Sequence, residues 1–105
     1  AYPELAAHIS AYDVPDDETR EASVRHALAL LPAGDDVLVC ADVFGASPFF
    51  VAQAVAAQCQ AKLLVGANAP MLMRACCYRA LPLADWAMKA LEGGQRGVLA
   101  VEPNN

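Results

Sequence analysis

Positive charge is scarce in this chain. Seven Lys and Arg stand against twelve Asp and Glu, a net charge of −5, and no basic run or stripe occurs. That balance argues against nucleic acid and against an electrostatic grip on anionic lipid. No apolar run approaches the roughly 20 residues of a membrane span. There are only two histidines, and the four cysteines (Cys40, Cys59, Cys76 and Cys77) form no Cys-x-x-Cys pair. The ligand spacings of a zinc site are therefore missing, and neither a metal nor a cofactor is expected. Cys76 and Cys77, being adjacent, do not bridge each other easily, and all four thiols read as small buried groups in a reducing cytoplasm. Repeats, low-complexity tracts and linkers are absent too, so residues 1–105 read as a single domain.

What is present is apolar. The hydrophobic share is 57%, above the usual level, as expected of a sheet covered on both faces. Residues 9–14 read as a strand ended by Pro15. Asp16, Asp17 and Glu18 supply a cap and negative charge for a helix start. Val24, Ala27, Leu28 and Leu31 then fall on one apolar face, and Pro32-Ala33-Gly34 stops that helix. Residues 37–40 are a short, unbroken apolar run of the buried-strand type, and residues 62–65 read as another buried strand. Helices are expected at 48–58, from Pro70 to about Arg79, and from Pro82 to the pair Gly93-Gly94. In the last, Leu83, Trp86, Ala87, Ala90 and Leu91 share a face. Residues 98–101 read as a short final strand. Strands alternating with helices predict an α/β fold with an open parallel sheet flanked by helices on both faces.

The densest information lies in Ala41-Asp42-Val43-Phe44-Gly45-Ala46-Ser47-Pro48-Phe49. It follows a buried strand and opens a helix. Asp42 sits just past the strand end, and Gly45 permits a tight turn. Ser47 is expected as the helix N-cap, with Pro48 at the first helical position. A carboxylate, a hydroxyl and backbone N–H groups would thus meet at the carboxyl edge of a parallel sheet, where ligands bind in such folds. Each residue also has a plainer role. Asp42 and Asn68 could shape turns, Ser47 could be only a cap, and Phe44 could be core or pocket wall.

This segment resembles the Thr-Asp-Leu-Phe-Gly-Gly-Ser-Pro-Phe signature of the mannose-type IIA component of the bacterial phosphoenolpyruvate-dependent sugar phosphotransferase system. Val65-Gly66-Ala67-Asn68-Ala69-Pro70-Met71-Leu72 is similar to the Gly-Val-Asn-Leu-Pro-Met-Leu turn of that family. Lys89-Ala90-Leu91-Glu92-Gly93-Gly94-Gln95-Arg96-Gly97-Val98 resembles its last helix and following strand. Order and spacing agree in all three. Ala46 replaces a glycine of the pattern, and Phe50 replaces a common asparagine.

The resemblance implies sheet order two, one, three, four, with a crevice where the order reverses. It implies a phosphotransferase: a cytoplasmic phosphocarrier that takes a phosphoryl group from HPr onto a histidine and passes it to a IIB component for sugar uptake. The membrane would be reached only through that transporter complex. Asp42 and Ser47 would be catalytic, and Phe44, Gly45, Ala46 and Asn68 would line the phosphoryl pocket. The acceptor histidine would lie on a central first strand. With its helix, that strand amounts to about thirty residues expected ahead of Ala1. His8, at the far end of the second strand, and His26, in a helix, both lack its context. A homodimer is also implied, the last strand crossing to pair antiparallel with the partner's sheet by way of a flexible Gly93–Gly97 connector. A regulatory relay or binding module without transport, a domain that no longer carries phosphate, and a dihydroxyacetone-kinase phosphoryl donor remain alternatives at this stage.

Overall fold

A computed structural model of the chain describes residues 9–103; His8 lies outside the described residues. The order of elements is α1 (Arg20–Leu28), β1 (Leu38–Ala41), α2 (Ser47–Cys59), β2 (Lys62–Val65), α3 (Ala69–Cys77) and α4 (Leu83–Arg96). The fold is α/β, as predicted. Its sheet has two parallel strands, with Leu38 opposite Lys62 and Ala41 opposite Val65. Parallel neighbours need a crossover, and α2 supplies it. The helix packs on both strands, while α4 packs on β2.

The main core joins three elements. Val24 of α1 and Val51 and Val55 of α2 are buried together, and Val39 of β1, Val14, Ala27, Leu28 and Leu31 close around them. Each such aliphatic side chain contributes about 1.5–3 kcal/mol when fully withdrawn from water. The periodic face read from Val24 to Leu31 is therefore a true packing face.

Residues 9–14 do not form the expected strand. A strand exists only with a ladder partner, and β1 and β2 pair only with each other among the described residues. The segment is held by side chains instead. Val14 packs on the core, and the Tyr12 hydroxyl donates to the Glu18 carboxylate. Glu18 also accepts from the fully buried Ser23 hydroxyl at 2.5 Å and pairs with His26 Nδ1 at 2.8 Å. These bonds, Ser23 first and Tyr12 next, hold the Glu18 carboxyl below its ordinary range; the Glu18 bond pushes the Tyr12 hydroxyl up. Glu18 is thus not the helix cap. Thr19 is, its hydroxyl accepting from Ala22 N–H at 3.1 Å.

A second correction concerns Gly93 and Gly94. They do not end α4, which continues to Arg96, and both are buried. A Cβ on Gly93 would lie 2.7 Å from the Arg74 side chain, and one on Gly94 would lie 2.8 Å from Met71 Cε. On Gly97 it would lie 2.5 Å from Pro70 Cγ. The glycines let α3 and α4 approach more closely than larger residues would allow, so this segment is packed helix rather than a flexible connector. On the same helix, Ala87 and Ala90 are buried as expected, and Trp86 Nε1 donates to the Ala75 carbonyl at 2.7 Å, a further tie to α3.

Residues 98–103 have no regular structure, and Val98, Leu99 and Val101 are 74–77% exposed. The expected last strand has no partner strand beside it among the described residues. No helix among the described residues is long and apolar enough to cross a membrane.

Candidate functional site

The site begins where β1 stops. Ala41 is the last strand residue and is buried, and its carbonyl accepts two backbone N–H groups, from Gly66 at 2.8 Å and Ala67 at 3.0 Å. Gly66 has φ +91°, a left-handed conformation that only glycine adopts cheaply. It turns the chain back at the end of β2 so that both donors face β1. This bifurcated bond brings the loop after β1 and the loop after β2 together at one carboxyl edge. It gathers Asp42 and Asn68, 26 residues apart in sequence, at the same end of the sheet.

The first loop carries Asp42, Phe44, Gly45 and Ala46 and leads into Ser47, the first residue of α2; all five are exposed. Gly45 has φ +85° with open space around it, so the backbone turn rather than crowding requires glycine there. Phe44 is 76% exposed, yet its ring lies 4.6 Å from that of Phe49, which is buried. Phe49 in turn meets Phe50 edge-on at 5.2 Å, and the Arg20 guanidinium sits 4.8 Å over the Phe50 ring. The position where asparagine is common thus serves as an aromatic seat for α1, tying that helix to the start of α2.

Ser47 does not cap α2. The N-cap is Ala46, in extended conformation (φ −84°, ψ 166°), and no side chain bonds to this helix end. Ser47 occupies the first helical position and Pro48 follows. The reason is geometric. The Ala46 carbonyl already accepts from Phe49 and Phe50 N–H groups at 2.9 and 3.3 Å, which sets the helix start one residue earlier. The hydroxyl therefore stands at an uncapped, electropositive helix end, a suitable place for an anion.

Asn68 is the N-cap of α3. Its Oδ1 accepts from Met71 N–H at 3.0 Å, and its Nδ2 donates to the Gly94 carbonyl of α4 at 2.9 Å. Cys40, on β1 two residues before Asp42, has its thiol pushed up by burial, so it stays protonated and chemically quiet. Two shallow grooves lie elsewhere. One, of about 370 Å³, is lined by Arg20, Arg25, Val24 and Gln58 among others, and one of about 250 Å³ runs between β2 and α4. Neither includes residues 42–47 or 66–68.

The structure therefore places the six sequence-selected residues at one sheet edge: four on one loop, Ser47 at the first position of the helix that follows it, and Asn68 on the facing turn. Sequence reasoning missed the Ala41 carbonyl, because a main-chain acceptor leaves no side-chain signature; the glycine at 66 was the available sign. It also missed the reach of Asn68 to Gly94, since the glycine pair was read as a helix stop. The family model described as PTS system fructose IIA component matches residues 3–91. No curated protein matches the chain.

Proposed function

The chain belongs to the family of fructose- and mannose-type IIA components of the sugar phosphotransferase system, and from that premise we propose that it receives a phosphoryl group from HPr and delivers it to a IIB component. The family as a whole implies a phosphocarrier role in sugar uptake. The reading of this chain's own residues is carried by one observation: the Ala41 carbonyl holds the Asp42 loop and the Gly66–Asn68 turn at one carboxyl edge.

In this reading the acceptor histidine would stand across the edge from Asp42, on a central strand beside β1. The Asp42 carboxylate accepts a hydrogen bond from one ring nitrogen. That fixes the tautomer, leaves the other nitrogen's lone pair free, and stabilises the positive charge that develops as it attacks. The phosphorus–nitrogen bond of the donor phosphohistidine breaks as the new one forms, so the phosphoryl group moves and the donor imidazole leaves. Ser47 and the N–H groups at the start of α2 hold the phosphoryl oxygens, aided by the helix dipole. Gly45 and Ala46 leave room for those oxygens, Phe44 walls the pocket, and Asn68 frames its far rim.

A histidine-bearing strand beside β1 would also pair the edge of β1 that has no ladder partner among the described residues. The exposed Val98, Leu99 and Val101 would pair antiparallel on a second copy and make the homodimer. Its site of action would be the cytoplasm.

The test is Asp42→Asn in the full-length protein. Because Asp42 is exposed, the circular dichroism spectrum should not change. Transfer from phosphorylated HPr should slow by about two to four orders of magnitude, as when a histidine's carboxylate partner is neutralised. An unchanged transfer rate rules out the role assigned to Asp42.

A further inference from the structure

The Asn68 amide is spent on the fold from both ends, and this bears on what it does at the site. Its Oδ1 holds Met71 N–H and its Nδ2 holds the Gly94 carbonyl. Gly94 is fixed in turn: it is buried, and a Cβ there would lie 3.1 Å from Met71 Cβ and 3.4 Å from Asn68 Oδ1. The α3–α4 pair thus grips Asn68 as a rigid body. Immediately before Asn68, the Gly66 and Ala67 N–H groups both bind the Ala41 carbonyl. That carbonyl belongs to the peptide whose nitrogen is the Asp42 backbone nitrogen. Two donors on one acceptor restrain the tilt of this peptide plane, and the plane sets where the Asp42 Cα points.

We infer that Asn68 is a positioning residue, which transmits the location of α4 through the Gly66–Ala67 turn to the Asp42 peptide. It acts through Asp42 rather than by touching the phosphoryl group. The inference rests on the phosphocarrier reading for the reaction, but the structural link can be measured without it. A small displacement of a reacting group costs a large factor in rate, about a hundredfold for 1 Å. A loosened turn should therefore lower the rate of the chemical step while substrate affinity holds.

The experiment uses the full-length protein. Asn68→Ser keeps a good cap for α3 but removes the reach to Gly94. Gly94→Ala leaves Asn68 intact and crowds the contact from the other side. Each is compared with Asp42→Asn in transfer from phosphorylated HPr, and the Gly66 and Ala67 amides are followed by hydrogen exchange.

The expected result is kcat lowered about tenfold in both variants with KM within about twofold, and faster exchange at both amides. The double variant should be no slower than the worse single, since both cut one connection. If Asn68→Ser raises KM at constant kcat, the residue contacts the phosphoryl carrier directly and the inference is wrong. If it lowers stability alone, with kcat and exchange at 66–67 unchanged, the role is merely structural and the inference is again overturned. No transfer from phosphorylated HPr to the parent protein would refute the phosphocarrier reading instead; in that case faster exchange at 66–67 still upholds the link from Asn68, and unchanged exchange refutes it.

Discussion

Ser47 and Asn68 carry the same cap signal in sequence but play different parts. Serine before a proline is a strong cap signal, and asparagine before Ala-Pro is an equally good one. Only Asn68 caps. Ser47 lies one position inside its helix, exposed and without a cap bond. Ser47→Ala should therefore leave stability within about 0.5 kcal/mol of the parent, as at an ordinary surface site. Its effect should be confined to phosphoryl transfer and be milder than that of Asp42→Asn. Asn68→Ala should cost about 1–2 kcal/mol, through a lost cap and a part-buried Gly94 carbonyl left without its donor. Urea denaturation of the two variants separates these outcomes; equal losses would show that Ser47 caps after all.

Among the elements, strands β1 and β2 and the helices between and after them were legible because each follows a local rule. Short apolar runs gave the strands to within one residue, and Pro48, Pro70 and Pro82 marked helix starts. What was not legible depended on neighbours. Residues 9–14 have strand character but no ladder partner, so tertiary context overrides propensity. Gly93 and Gly94 look like a stop signal, yet the close approach of α3 retains them inside α4. At the site, residue types announced Asp42 and the Gly45 turn, while the backbone acceptor that unites the two loops is invisible to composition.

The glycine helix gives a graded expectation. Alanine favours a helix interior over glycine by about 1 kcal/mol. At Gly93 the clash is with Cγ and Cδ of Arg74, mid-chain atoms that must shift on a side chain able to swing, so Gly93→Ala should be the mildest of the three, a loss of under about 1 kcal/mol. At Gly97 the obstacle is the rigid Pro70 ring, so Gly97→Ala should destabilise by about 1–3 kcal/mol, with Gly94→Ala between them. Denaturation midpoints falling in the reverse order would refute the packing account of these glycines.

At the scale of the whole molecule, the Tyr12–Glu18–Ser23–His26 network fastens the segment before α1 to the body, and its titration has a definite sign. The Glu18 carboxyl lies below its ordinary 4.5, so its contribution is present above that value and is lost as pH falls through the folded-state value. Tyr12 lies above its ordinary 10.0, so its contribution holds below that pH and is lost as pH rises through the folded-state value. Melting temperature should therefore fall at the acid limit through Glu18 and at the alkaline limit through Tyr12. Glu18→Gln should remove both dependences; an unaltered acid limb in that variant would exclude the network as its source.

The proposed dimer is tested at the same scale. Removal of residues from 98 onward spares Gly97 and its contact with Pro70. The truncated full-length protein should sediment as monomer or aggregate, where the parent sediments as dimer. A soluble truncated dimer would mean that Val98, Leu99 and Val101 are not the exchanged element.

On the phosphocarrier reading, Phe44 would bear on how long a partner stays. A carrier that meets a donor and an acceptor in turn must release each within a turnover, so tight complexes would stall it. Phe44 stands in water over the buried Phe49 ring, one aromatic anchor beside a small polar edge. An interface built around a single such anchor belongs with short-lived encounters, in which the dissociation rate rather than the association rate sets affinity. The Gly45 turn, by holding that ring outward, would favour brief residence and rapid hand-over.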